Sequence, residues 1–265
     1  MRKIAVWFFA ANAVMSQFPV SGQSVWIGSA GDARWSAAGN WEGGVAPAPT
    51  PLTSLTFGGS VTNAQNDFLS GSVFSNVTFA AGASPFTLSG NKVSLYGSLT
   101  NSSSVQQRIG TDLIWTGKSR FLDTGAGGIV LDGFFSSGAA DASFTKNGSG
   151  TLTLNGGGNF TAVNPISTLN NGTLVIAADT VFNRLDIQNG ARLVVTNNAT
   201  LSGFTGTPYV FWQTCTIDLY SGKIVIGSVL AGAQEATRTC TVNVRGGVFV
   251  GNVGTRWSNN GSTFL

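Results

Sequence analysis

A short strand pattern occurs twice in this chain, 22 residues apart: Gly150-Thr151-Leu152-Thr153-Leu154 and Gly172-Thr173-Leu174-Val175-Ile176. Each copy alternates apolar and polar residues, the period of a strand with one buried face. A strand this short cannot bury that face alone. It must stack on a copy of itself, and a chain that returns to the same place about every 22 residues builds a β-solenoid. The pattern recurs more loosely at Leu193/Val195, Ile224/Ile226 and Val248/Val250. The step from Leu193 to Ile224 is long, 31 residues, and reads as a coil with an insertion, Gly203 to Trp212, looping out of it.

Other segments fit the same plan. Leu55-Thr56-Phe57, Val73 to Phe79, Phe86-Thr87-Leu88, Val93-Ser94-Leu95, Leu113-Ile114-Trp115 and Ile129-Val130-Leu131 are short, and most are bounded by Gly, Ser or Asn. These are strand and turn signals at close spacing. No segment sustains a 3.6-residue apolar period, so almost no helix is expected. Asn171-Gly172, Asn189-Gly190 and Ser221-Gly222 mark corners, where Gly accepts left-handed backbone values. Residues 60–265 are therefore assigned to the repeats, with the last coil continuing or truncated at the C-terminus. At 22 residues each, the chain beyond residue 22 has length for roughly 11 coils spaced about 4.8 Å apart.

Charged residues make up only 9% of the chain, against roughly 25% in an ordinary domain. Val, Leu, Ile and Phe still recur steadily, so the low charge does not signal disorder. Lys and Arg number 14 against 11 acidic residues. They form no cluster, which argues against a nucleic-acid partner.

Residues 1–22 have the pattern of a secretory signal. Arg2 and Lys3 form a basic start, Ile4 to Val14 an apolar stretch, and Val20-Ser21-Gly22 a small-residue site for cleavage ahead of Gln23. A buried N-terminal strand or helix is the structural alternative. No apolar run reaches the length of about 20 residues needed for a transmembrane helix. Residues 23–59 hold Trp26, Trp35 and Trp41, then Pro47, Pro49 and Pro51. Proline disfavours strand pairing there. The segment reads as an N-terminal cap over the first coil; the competing reading is an aromatic sugar platform.

Cys215-Thr-Ile-Asp-Leu matches Cys240-Thr-Val-Asn-Val position by position. On successive rungs the two Cα atoms would lie about one strand spacing apart, within disulfide reach. Two stacked reduced thiols are the alternative. Asp218 and Asn243 fall at matching positions, which suggests a side-chain ladder.

The run Gly150-Thr-Leu-Thr-Leu-Asn-Gly-Gly-Gly-Asn-Phe-Thr161 resembles the autotransporter-associated β-strand repeat of bacterial secreted proteins. Phe86 to Ser102 is similar to the coil that often precedes it, and the Trp26, Trp35, Asn40-Trp41, Pro47 opening is similar to the start of such proteins. The resemblance implies an all-β, right-handed parallel β-helix, exported and serving as a secreted or surface passenger. The full family pattern includes a C-terminal membrane barrel, which is not expected for this chain.

Histidine is absent, which removes the commonest general base near neutrality and the usual zinc ligand. Asp112, Asp123 and Asp132, with Lys118 and Arg120, could serve a carboxylate-based sugar-cleaving enzyme; as turn and surface residues they have a simpler reading. Phe204, Tyr209, Phe211 and Trp212 are the ligand-binding candidates, as an aromatic loop for a sugar ring or partner chain; the alternative is a lid on the core. The expected function is a non-catalytic structural or adhesive protein outside a bacterial cell, needing no cofactor or metal. Surface glycans or matrix proteins are the expected partners, together with end-to-end self-association. A carbohydrate-active enzyme on the same scaffold is the alternative.

Overall fold

Alternation within each short strand sends every second side chain inward, and stacking those strands in parallel builds a continuous core. The computed structural model describes residues 22–117, 120–139, 142–161, 166–204, 209–211, 213–227, 229–231, 239–251 and 263–264. The expected signal segment, apart from Gly22, lies outside the described residues.

The chain winds as a three-sided parallel β-solenoid. One coil runs through Ser54–Phe57 on the first face, Asn63–Asn66 on the second and Ser72–Phe74 on the third. It then returns to the first face at Val77–Phe79. The three faces are parallel sheets of 8, 10 and 9 strands. The first begins at Gln23–Trp26, so residues 23–59 already contain two rungs of it, Gln23–Trp26 and Ser54–Phe57. The described helical turns are two short ones, Ala38–Asn40 and Glu42–Gly44. The tallest sheet has fewer rungs than the 11 coils expected, because residues 27–53 contribute no strand to any of the three stacks.

Register is maintained from coil to coil. On the first face one inward column runs Leu55, Val77, Leu99, Leu122, Lys146, Leu169, Ile187. On the second, Leu88, Ile109, Leu131, Leu154, Ile176, Val195 and Leu219 stack in turn. All of these are buried. Each large apolar side chain so placed contributes about 1.5–3 kcal/mol of transfer free energy. Phe135, Phe144, Phe160 and Phe182 fill the centre of the middle coils, with Phe160 and Phe182 stacked at 4.8 Å.

The expected register around the long step needs correction. Leu193 pairs with Ile217, not Ile224, and Val195 pairs with Leu219. Ile224 belongs to the third face, beside Leu201 and Phe249. The step on the second face is thus 24 residues, an ordinary coil. Tyr209–Phe211 is not an excursion either. It is a strand paired in parallel with Val229–Ala231. The chain leaving it bonds back to the first face, with Gln213 N–H donating to Ile187 O at 2.7 Å. These two strands take the first face's turn in the chain order of the later coils.

The glycines of the repeated pattern are explained by close packing of corner on corner. A Cβ on Gly150 would lie 2.3 Å from Gly125 O. One on Gly172, where φ is +67°, would lie 2.5 Å from both Gly148 O and Gly150 O.

Candidate functional site

The residues singled out in the sequence do not converge on one place. Phe204 is fully buried in the core at φ 57° and offers no ring face to a ligand. Tyr209 and Phe211 sit in a regular strand. Trp212 and Lys118 lie outside the described residues. Trp26, Trp35 and Trp41 are each about 1% exposed; Trp41 packs edge-on against the other two, and all three pack against Phe57. Indoles buried in this way cannot form a sugar-stacking platform. Asp67 ties their loop down by accepting from Ser36 N–H at 2.9 Å and from its hydroxyl. Burial pushes the Asp67 carboxyl up, but the Ser36 bonds lead a group of contacts that hold it below its ordinary value.

The three aspartates lie at two different corners. Asp112 and Asp132 follow second-face strands on successive coils, whereas Asp123 ends a first-face strand. Each has a local partner. Asp112 Oδ1 accepts from Phe134 N–H at 2.8 Å, and Asp123 Oδ1 from Gly125 N–H at 3.0 Å. Asp132 pairs with Arg108 at 2.7 Å and accepts from Asn155. Arg120 lies in the strand that Asp123 ends.

Cys215 and Cys240 are register partners on neighbouring rungs, with Cα atoms 4.5 Å apart and their sulfurs joined. Outside them, Asp218 is nearly buried and gathers three side chains from the two rungs that flank its own. Arg192 Nε donates at 2.6 Å, Asn243 Nδ2 at 2.9 Å and Arg245 Nε at 3.4 Å. Burial pushes the Asp218 carboxyl up; the Arg192 and Asn243 bonds, with the guanidinium charges, outweigh it and keep it below the ordinary value. The bond to Asp218 raises Arg192 in return.

Lys146, the first residue of the repeat signature, had no expected role. It is fully buried in a column of leucines. Its ammonium donates to the backbone carbonyls of Asn147 (3.0 Å), Gly148 (3.0 Å) and Asn171 (2.8 Å). Burial lowers it from 10.5 to about 8, against the opposing charge of Asp123. The alternation Phe144-Thr145-Lys146 was the available signal, since it puts Lys146 on the same side as Phe144.

The outward row of the first face is the surface that the sequence did not reveal. Thr56, Thr78 and Thr100 stack on consecutive rungs. Beside them Asn76 donates to Ser54 Oγ at 3.0 Å and accepts from Ser98 N–H at 2.7 Å. Gln23 Nε2 donates to Thr56 Oγ1 at 2.6 Å. Gly22, Gln23, Leu52, Ser54, Thr56, Asn76 and Thr78 line an open cleft of about 400 Å³. A void inside the core beside Trp35 measures about 10 Å³, less than a ligand needs. This cleft can hydrogen-bond in both directions and carries no charged side chain. Among the described residues no helix is long and apolar enough to cross a membrane.

These features define the class of the chain, a three-sided parallel β-solenoid with self-satisfied corners. No protein family, curated protein or solved structure matches it. The likeness to the autotransporter-associated repeat therefore rests on the motif residues themselves.

Proposed function

We propose that this protein is an exported, non-catalytic β-solenoid that acts outside a bacterial cell as a structural or adhesive surface. The observation that carries the reading is the repeated register of parallel rungs, which stacks weakly charged outward residues into ladders such as Thr56, Thr78, Thr100. Such ladders suit extended contact rather than chemistry in a pocket. The Arg2-Lys3 start and apolar run support export, and a Cys215–Cys240 bridge fits an oxidising compartment. The motif resemblance supports right-handed winding and a passenger role. The enzyme alternative has less to recommend it, because Asp112, Asp123 and Asp132 occupy two corners and serve local hydrogen bonds there.

The test is to express the whole chain in a Gram-negative host, recover it from outside the cells and sequence its N-terminus. A mature start at Gln23, and retention of the purified protein on polysaccharide-coated beads, is the expected result. An intact Met1 start in the cytoplasm would overturn the export reading, and failure to adhere to any coated surface would overturn the adhesive one.

A further inference from the structure

We infer that the first-face cleft formed by Gln23, Leu52, Ser54, Thr56, Asn76 and Thr78 binds a neutral glycan chain. The inference deepens the adhesive reading and rests on it. The cleft's volume of about 400 Å³ lies in the range of small-ligand sites. Amides and hydroxyls both donate and accept, which matches a polyhydroxylated ligand. The lining side chains include no carboxylate, ammonium or guanidinium, so no side chain of the cleft compensates the desolvation of a uronate, a sulfate or a phosphate. Leu52 is 60% exposed on the rim and gives the C–H face of a sugar ring an apolar wall.

The polar groups are also held in place before any ligand arrives. Gln23 is fixed on Thr56, and Asn76 is fixed between Ser54 Oγ and Ser98 N–H. The room for Asn76 exists because residue 97 is glycine; a Cβ there would overlap its Oδ1. Fixed side chains lose little entropy on binding. Beyond these contacts, the amides and the Thr56 hydroxyl keep hydrogen-bonding capacity. The same chemistry continues along the face at Ser98 and Thr100, one rung further on, and ends at Asp123, the register partner of Thr100. A bound chain would therefore meet hydroxyl and amide groups over these first rungs, spaced about 4.8 Å apart.

The test is calorimetric titration of the exported protein with cellohexaose, xylohexaose, mannohexaose and chitohexaose, with hexagalacturonate as the anionic comparison. T56V/T78V removes two hydroxyls at constant shape, and T145V makes the same change further along the same face. Saturable binding of at least one neutral hexamer is expected, weakened about ten-fold in T56V/T78V and unchanged in T145V. Hexagalacturonate should bind at least about ten-fold more weakly than the best neutral ligand. Absence of binding by any neutral hexamer to protein with its native circular dichroism, preference for hexagalacturonate, or equal weakening by T145V would each overturn the inference. Bead adhesion separates the two levels. Adhesion that survives in T56V/T78V removes the cleft and leaves the adhesive reading standing, whereas wild-type protein that binds a hexamer but adheres to nothing does the reverse.

Discussion

One corner of the solenoid, between the first and second faces, is closed in two ways along its length. In the middle coils the column at this corner consists of Gly150 and Gly172, and the Lys146 ammonium lies 2.8 Å from where a Gly172 Cβ would be. Further along, the residues preceding Arg192, Thr216 and Thr241 in register are Ala191, Cys215 and Cys240. There the side chains grow and a disulfide fills the corner. The middle coils thus satisfy exposed backbone carbonyls with a buried charge. The later coils exclude space with apolar and covalent groups. The corner tolerates different chemistries provided that its volume and its carbonyls are both accounted for.

The largest effect should come from breaking the middle version. Lys146→Met keeps the apolar stem but leaves the Gly148 and Asn171 carbonyls without their donor, while the Asn147 carbonyl keeps its bonds from Thr124. At about 1–3 kcal/mol for each buried group left unpaired, partly relieved by water, the loss should be about 4 kcal/mol in urea unfolding. The wild type should also show a pH signature. Between about pH 8 and 10.5 the unfolded chain holds a proton that folded Lys146 has released. Stability from this group therefore rises with pH across that window and is flat below it. K146M should lack the rise; a variant with the same rise would assign it to other groups. A loss under about 1 kcal/mol would show that these carbonyls do not depend on the ammonium.

Breaking the later version should have a smaller and more local effect. Cys215→Ser with Cys240→Ser opens a loop closed over a sequence separation of 25, worth about 3 kcal/mol by chain entropy. Hydrogen exchange should quicken in Cys215–Leu219, Gly222–Ile226 and Cys240–Val244 and stay unchanged in Thr151–Leu154 and Thr173–Ile176. Equal deprotection of both regions would mean that the coils unfold as one unit and that the corner chemistries are not independent.

The same contrast shows what could be read from the sequence. The Gly-Thr-Leu pattern revealed the stacking because its strands alternate cleanly and its glycines mark tight corners. The Cys215/Cys240 and Asp218/Asn243 matches were legible because identical or similar residues recur at one offset. The register after Leu193 was not. Ile217/Leu219 and Ile224/Ile226 are both apolar pairs with a spacing of two, and such a pair does not state which face of the coil it joins. Choosing the second pair created a 31-residue step and an apparent aromatic excursion. The cleft was hidden for a related reason. Gln23, Thr56 and Asn76 are ordinary polar residues in sequence, and only the winding of the chain places them side by side. Lys146 was legible in principle, but a lysine in an alternating strand is usually read as facing solvent.

The smallest expected effect tests whether the later coils need their ionic network as well as their disulfide. Asp218 sits among Arg192, Asn243 and Arg245, and Arg245 also lies over the Tyr220 ring at 5.6 Å. Arg245 is exposed, and its contact with Asp218 is long, so Arg245→Ala should cost less than about 0.5 kcal/mol. Asp218→Asn should cost about 2 kcal/mol, because the Arg192–Asp218 bond is charge-assisted and its carboxylate is buried. The folded Asp218 carboxyl is held below its ordinary 3.8. Its contribution is therefore fully present above that value and is lost as pH falls toward the lower folded value. Wild-type protein should lose stability relative to D218N as the pH drops below about 4. Parallel acid profiles for the two proteins would show that the carboxylate contributes packing alone, leaving the disulfide as the main device closing the later coils.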